Sequence, residues 1–351
     1  MNNIRVVDLF CGIGGLTNGL QQAGLNVVAG FDFDESCRFA YEANNNSTFF
    51  HKDISNLSSI EVNEHFINSE VKILVGCAPC QPFSSYNYKQ SSLEENKWKL
   101  LYEFTRLIQE TNPDIVSMEN VPQLLNFKKA PVFQDFVTNL QILGYYVSYK
   151  LVFAPDYGVP QKRKRLILLA SKFDNIDIIS STHTSNNYVT VRDAIGKLPP
   201  LEHGETDSTD FVHKASKLSD LNIQRLKLSK PGSSWKYDWN DELLLKCHRI
   251  ASGKTYGSVY GRMKWDDQSP TMTTFCTGIG NGRFGHPEQN RAISLREAAI
   301  LQSFPMDYKF AESKETLKHS AVAKQIGNAV PPALGKVIGL SIIEHLSRLD
   351  K

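Results

Sequence analysis

Six cysteines in 351 residues are too few to staple a fold of this size. Cys11, Cys37, Cys77, Cys80, Cys247 and Cys276 read as free thiols in a reducing compartment, in a chain long enough to bury a core without cross-links. No apolar run approaches the roughly 18 residues of a membrane span. The start, from Met1 to Val7, lacks the apolar core and cleavage site of a secretory signal. A cytoplasmic protein with no membrane association is therefore expected. An excess of one charge is missing too: 39 Lys and Arg against 37 Asp and Glu leave a net charge of +2, so any polyanion must be met by a local patch. With 41% apolar and 22% charged residues, the composition excludes global disorder, collagen and a coiled-coil rod. The length suggests about two domains.

The first 170 or so residues alternate between strand-like and helix-like periods. Ile4 to Phe10 is a short β-branched run. It is followed by the turn Cys11-Gly12-Ile13-Gly14-Gly15 and a helical face of Leu16, Leu20 and Ala23, closed by Gly24. Asn26 to Phe31, Val71 to Gly76 and Ile115 to Glu119 read as further strands. The stripe Leu100, Leu101, Phe104, Leu107 and Ile108 and the series Val132, Phe136, Leu140 and Leu143 read as helices. Tyr145 to Phe153 and Leu166 to Ala170 complete the strands. This order predicts a doubly wound α/β sheet, whose ligands sit beyond the carboxyl ends of the strands. From about residue 175 to 289 the texture changes to Ser, Thr, Asn, Gly and Lys with weak periodicity. Lys214, Lys217, Arg225, Lys227, Lys230 and Lys236 cluster there, with Trp235, Tyr237 and Trp239 among them. That stretch reads as a second, smaller, irregular domain. Helical periodicity returns at Ile293 to Leu301 and Ala333 to Leu346.

Five constellations stand where chemistry would be expected. The glycine turn at Gly12, Gly14 and Gly15 allows close approach of a ligand to the backbone, and Asp32 ends the second strand where dinucleotide folds place a ribose-binding acid. Asp53 follows a probable third strand, where it can accept from an adenine amino group. A tight turn with two surface acids is the plainer alternative. Gly76-Cys77-Ala78-Pro79-Cys80-Gln81-Pro82 leaves a strand. As Cys-x-x-Cys it admits zinc, thioredoxin-like redox chemistry or a lone nucleophile, Cys80, stiffened by Pro79 and Pro82. No second ligand pair follows at zinc-finger spacing, so no metal is expected, and Cys77 between Gly76 and Ala78 reads as packing. Glu119 ends an apolar strand, where desolvation suits a general acid, or where it caps the next helix. Extended alternation sends Gln161, Arg163 and Arg165 to one face and Lys162 and Lys164 to the other; the arginines either fork onto an anion or form a basic surface run. Last, Gly327-Asn328-Ala329-Val330-Pro331-Pro332 allows a tight backbone approach before a final helix.

In this order the pieces resemble the cytosine-5 DNA methyltransferase family of the bacterial restriction-modification type. The resemblance rests on Asp8-Leu9-Phe10-Cys11-Gly12-Ile13-Gly14-Gly15, Pro79-Cys80-Gln81-Pro82-Phe83-Ser84, Glu119-Asn120-Val121, Gln161 to Arg165, Arg296-Glu297-Ala298-Ala299 with Leu301-Gln302-Ser303-Phe304-Pro305, and Gly327 to Pro332. It implies a Rossmann-like S-adenosylmethionine-binding sheet with one antiparallel strand and a smaller, irregular target-recognition domain. The implied division is 1–175 catalytic and cofactor-binding, 176–289 target recognition, and 290–351 a segment that returns to complete the catalytic domain.

The implied cofactor pocket comprises Phe10 stacked on adenine, the Gly12, Gly14 and Gly15 turn, Asp32 and Phe33 at the ribose, Asp53 and Ile54 at the adenine edge, and Pro79, Leu100, Asn328 and Val330. The implied catalytic set is Cys80 attacking carbon 6 of a flipped-out cytosine in a specific duplex sequence, Glu119 at ring nitrogen 3, and Arg163 and Arg165, the latter on the ring oxygen. Gln81, Ser84, Ser85, Gln161 and Thr273 would touch the nucleic acid, and the Ser84 to Lys97 loop would act as a lid. Double-stranded DNA is the expected partner of a monomer, with a cognate restriction endonuclease acting on the same site. Three alternatives compete: a transfer-RNA cytosine-5 methyltransferase of the same fold, a nicotinamide dehydrogenase, and a DNA-binding module without catalysis. The dehydrogenase gives no role to Pro79-Cys80-Gln81, Arg163 or Arg165, and the binding module has no need of Cys80 and Glu119 together.

Overall fold

The computed structural model describes residues 3–79, 99–127 and 130–349. Two compact units emerge: one of residues Met1–Tyr157, Lys164–Thr182 and Ala329–Lys351, the other of Gly158–Arg163 and His183–Asn328. The first unit begins with β1 (Ile4–Leu9), α1 (Gly15–Gln22), β2 (Val27–Asp32), α2 (Arg38–Glu42), β3 (Thr48–His51) and α3 (Ser59–Glu64). It continues with β4 (Val71–Gly76), α4 (Lys99–Thr111), β5 (Ile115–Asn120), α5 (Val132–Ile142), β6 (Tyr146–Phe153) and β7 (Lys164–Ser171).

The seven strands form one sheet in the order β3-β2-β1-β4-β5-β7-β6. The first five run parallel, and β7 lies antiparallel to both β5 and β6. This is the expected doubly wound sheet with its antiparallel strand. β4 and β5 sit centrally and are buried along nearly their whole length, as strands covered by helices on both faces must be, whereas β6 at the edge is largely exposed. Ser58 starts α3 with a capping box closed by Glu61, and an apolar face on α4 places Leu101, Phe104, Leu107 and Ile108 on the sheet.

The second unit carries α6 (Val191–Ile195), α7 (Asp220–Leu228), α8 (Trp235–Asp238), α9 (Leu295–Leu301) and α10 (His319–Asn328), joined by short 3-10 turns and isolated bridges. With so little regular hydrogen bonding, its backbone carbonyls find other donors. Arg262, 5% exposed, donates to the carbonyls of Leu226, Ser229 and His286 at 2.9–3.1 Å. Arg291, fully buried, donates to Leu201 and Ala292 and forks onto Glu297 at 2.7 and 2.8 Å. Glu297 is also the third helical residue of the Ser294 capping box that opens α9. Trp235 stacks on His248 at 3.9 Å.

The chain returns to the first unit as α11 (Pro332–Leu349). By length and composition the stretch His319–Leu349 would suit a membrane span, yet 67% of its apolar window is buried inside the protein, as in a core helix. α11 packs on α1 with backbone against backbone. A Cβ built on Gly19 would lie 2.1 Å from the Pro332 carbonyl oxygen and 2.5 Å from the Lys336 nitrogen, and one on Gly335 would meet the Leu16 carbonyl oxygen at 2.8 Å. These obstacles are main chain and cannot rotate away. Gly19→Ala is therefore expected to lower the stability of the first unit by about 1–3 kcal/mol or more through overpacking. A urea melt checks this, with Gly24→Ala as no control, since Gly24 has φ +99 and would be strained for its own reason.

Candidate active site

Phe10, Asp32 and Glu119, three of the residues that the sequence singles out, lie at the carboxyl ends of β1, β2 and β5. After β1 the backbone turns sharply: Phe10, Gly12 and Gly14 all have positive φ, at 60°, 51° and 84°. Phe10 is the non-glycine among them, and its half-buried ring packs against the main core. Gly14 precedes α1 in the left-handed region, with no side chain capping the helix and no acidic residue in its first turn. Its first N–H groups are donors suited to an anionic group. A Cβ on Gly12 would meet nothing within 4 Å, so open space lies over this turn.

Asp32, at the end of β2, accepts from the Gly12 N–H at 2.8 Å and the Asp34 N–H at 2.9 Å. Burial raises its carboxyl above the usual range, and those two backbone donors oppose the rise. Half-buried, the carboxylate keeps lone pairs for hydroxyl donors. Phe33 beside it is 72% exposed. Asp53 is exposed and accepts from the Ser55 N–H, while Ile54 is buried. Pro79 and Leu100 are half-buried and Val330 is buried, all within the first unit. Asn328 is exposed and belongs to the second unit. The open turn, the uncapped helix start and the acid twenty residues on fit a nucleoside cofactor with a charged amino-acid end.

One carboxyl beneath this region was quoted within a motif but given no role. Asp8 on β1 is fully buried and accepts from the Thr17 hydroxyl at 2.6 Å through Oδ2, and Oδ1 has no hydrogen-bond partner among the described residues. Burial pushes its pKa up to about 7. The folded protein thus holds a proton that the unfolded chain releases near pH 4. The stabilisation is complete at low pH and fades as pH rises toward and through about 7. Asp8→Asn, which keeps the neutral shape, is expected to flatten the fall in urea midpoint between pH 5 and 8.

At the ends of β4 and β5 lies a second cluster. Parallel pairing sets Gly76 against Met118, so Cys77 and Glu119 emerge side by side. Glu119 is 2% exposed. The Cys77 thiol donates to Glu119 Oε2 at 2.9 Å, and Arg165 Nε lies 2.8 Å from Oε1. The arginine contact is ionic rather than an aligned hydrogen bond, which leaves Oε1 without an aligned donor among the described residues. Asn120 Nδ2 donates to the Ala78 carbonyl oxygen at 3.1 Å and anchors the segment leading to Pro79. Cys77 is thus a hydrogen-bond donor and more than packing. Its signal was visible only as a second sulfur in the Gly76-Cys77-Ala78-Pro79 stretch; Asn120 was quoted within a motif but given no role. Cys80, Gln81, Ser84 and Ser85, with the rest of the Ser84 to Lys97 loop, lie outside the described residues.

The alternation read at residues 161–165 is present: Gln161, Arg163 and Arg165 are buried and Lys162 and Lys164 exposed. Gln161 is fully buried in the second unit, where its amide donates to the Leu301 carbonyl oxygen at 3.1 Å and accepts from the Met272 N–H at 2.9 Å. Arg163 donates to the Met272 carbonyl oxygen at 3.1 Å. Both hold the Pro270–Thr273 segment, with Thr273 half-buried. In the basic cluster, Lys217, Lys227, Lys230 and Lys236 are exposed, and Tyr237 is 85% exposed. Arg225, a member of the same cluster, is instead buried, donates to the Leu243 carbonyl oxygen at 3.0 Å and stacks between Trp239 and Tyr260. Interleaved aromatics drew it inward.

Residues 4–344 match the family described as C-5 cytosine-specific DNA methylase. The chain belongs to that family. This methylase is 54% identical over 346 residues to the type II methylase M.HgiDII of Herpetosiphon aurantiacus, a match covering 99% of this chain and 97% of that protein. It is 32% identical over 359 residues to the Escherichia coli type II methyltransferase M.Eco47II, covering 100% of this chain and 81% of that one. Among solved structures, the Entamoeba histolytica methyltransferase EhMeth superposes with a TM-score of 0.68 at 17% identity, covering 99% of both chains. The Schizosaccharomyces pombe Dnmt2 methyltransferase (S. pombe) does so with 0.66 at 18% identity, again covering 99% of both chains. These two likenesses speak to the fold. The methylase uses S-adenosylmethionine to methylate carbon 5 of cytosine in double-stranded DNA. Relatives with higher identity are type II methylases, which favours DNA over transfer RNA.

Proposed function

We propose that Cys80 is the nucleophile of this methylase, that Glu119 and Arg165 hold the pyrimidine ring, and that the target is one cytosine of a specific duplex sequence, turned out of the helix. The observation that carries the reading is the buried Glu119–Arg165 pair, which lies against the segment that leads directly into Cys80. Turning the base out costs a few kcal/mol and exposes its ring to these groups. Carbon 5 of cytosine is a poor nucleophile until the Cys80 thiolate adds to carbon 6. Glu119 protonates or hydrogen-bonds nitrogen 3 and Arg165 bonds the ring oxygen, which draws charge away from the ring as the sulfur adds. Carbon 5 then has enamine character and takes the methyl group. Loss of its proton restores the double bond and expels Cys80. Glu119 as general acid supplies on the order of 10²–10⁴-fold in rate.

S-adenosylmethionine, when bound, supplies an electrophilic methyl group on a sulfonium. Phe10, Gly12, Gly14, Gly15, Asp32, Phe33, Asp53, Ile54, Pro79, Leu100 and Val330 would hold it, with Asn328 contributing from the neighbouring segment. We assign 176–289 to target recognition, with exposed lysines on phosphates and Thr273 on the backbone of the flipped nucleotide. In this reading Gln161 and Arg163 act by holding the Thr273 segment. Gln81, Ser84 and Ser85 contact DNA. The methylase works as a cytoplasmic monomer and protects sites cut by a cognate restriction endonuclease.

The experiment is bisulfite sequencing of DNA from cells that express the protein, beside wild-type protein incubated with S-adenosylmethionine and duplexes in which the mapped cytosine is 5-fluorocytosine. A single protected sequence context and a denaturation-resistant protein–DNA adduct are expected. Conversion at every site, or no adduct, overturns the reading.

A further inference from the structure

We infer that Cys77 is a positioning residue for the reaction: its thiol fixes the rotation of the Glu119 carboxyl. The inference rests on the assignment of Glu119 to the pyrimidine ring. A carboxyl on a glutamate turns about its last torsion in a broad, roughly two-fold well. Arg165 holds Oε1 at 2.8 Å, but that contact is ionic and lacks hydrogen-bond alignment, so it fixes a distance more than a rotation. The described aligned bond to the carboxyl is the one from Cys77 Sγ to Oε2, at 2.9 Å. A directional donor on one oxygen selects one rotamer and turns Oε1, the oxygen beside Arg165, toward ring nitrogen 3, to which the protonated carboxyl gives its proton and from which the carboxylate then accepts.

The donor is also well anchored. Cys77 follows the buried strand β4, and its N–H donates to the Leu9 carbonyl oxygen at 3.3 Å. The next residue, Ala78, is held by Asn120, the neighbour of Glu119. Thiol and carboxyl are therefore fixed to adjacent strands by separate backbone contacts. Slight misplacement of a catalytic group costs up to about 100-fold in rate. A thiol also binds a carboxylate without introducing a second charge beside Arg165.

The test is a double-mutant cycle on the full chain: Cys77→Ala, Cys77→Ser, Glu119→Gln, and Cys77→Ala with Glu119→Gln. Single-turnover methyl transfer, KM for DNA and for S-adenosylmethionine, and the melting temperature are measured for each. Cys77→Ala is expected to lower the transfer rate by about 10-fold with both KM values within about twofold of wild type. Cys77→Ser, which restores a donor, is expected to recover most of the loss. In the Glu119→Gln background, Cys77→Ala is expected to change nothing further.

Three outcomes overturn the inference. The Cys77→Ala and Glu119→Gln losses multiply independently; Cys77→Ser falls as far as Cys77→Ala; or Cys77→Ala keeps the wild-type rate. A full-rate Glu119→Gln would instead sink the Glu119 assignment, and the role of Cys77 with it. If Cys77→Ala does not fold, the Ser variant in both backgrounds decides, since only a donor acting through Glu119 keeps the rate with Glu119 present.

Discussion

Cys80→Ser is expected to abolish both methyl transfer and the 5-fluorocytosine adduct while leaving DNA binding in place. A cysteine side chain is a few per cent thiolate at neutral pH and intrinsically nucleophilic, whereas a serine hydroxyl has neither advantage without a base beside it. The groups that hold Glu119 are Arg165 and Cys77, and neither is a base that would activate a serine hydroxyl. Removing a nucleophile from a covalent mechanism costs on the order of 10⁴-fold or more. Filter binding of labelled methyl groups and a denaturing gel of the trapped complex measure the two losses. A surviving adduct in the variant would move the nucleophile elsewhere, and the two units would have to be read anew.

The second large effect concerns stability. Glu297→Ala is expected to destabilise the protein by about 3–5 kcal/mol, because it strands the fully buried Arg291 guanidinium. Burial alone would raise the Glu297 carboxyl, but the two bonds and the charge of Arg291 outweigh it and hold the carboxyl below its usual range. Its contribution is thus present above the ordinary carboxylate range and is lost as pH falls through the lowered folded value. Burial pushes His286, 3.7 Å from Glu297, down to about 4, so that ring is neutral and adds no charge near pH 7. Replacing the pair together, Arg291→Met with Glu297→Leu, is expected to cost less than Glu297→Ala alone. Urea unfolding at pH 7 ranks the three proteins, and equal midpoints for single and double variants would show that the ion pair is not what holds the turn before α9.

Much of the first unit was legible because its strands are short apolar runs and its helices carry clear 3.6-residue stripes. Val71 to Gly76 and Ile115 to Glu119 fall almost on β4 and β5. The glycine turn and Asp32 declared themselves through spacing, and the hydrogen bond from Gly12 to Asp32 shows why that spacing matters. What the sequence hid was contact between distant residues of similar local appearance. Nothing near Asp8 marks it as a core acid with a raised pKa, since Thr17 meets it only once the chain has turned. Cys77 looked like filler because its partner lies 42 residues away on the neighbouring strand. The second unit was least legible. Arg262 and Arg291 look like surface cations until their carbonyl partners gather around them, and that gathering has no period.

The seam between α1 and α11 also sets an order of events during synthesis. The groove over Gly19 waits for Pro332 and Gly335, which leave the ribosome only after every residue of the second unit. At about 5–20 residues per second that delay is roughly 15–60 s. For most of that interval β1 to β5 are already synthesised, while α1 still lacks the helix that packs on it.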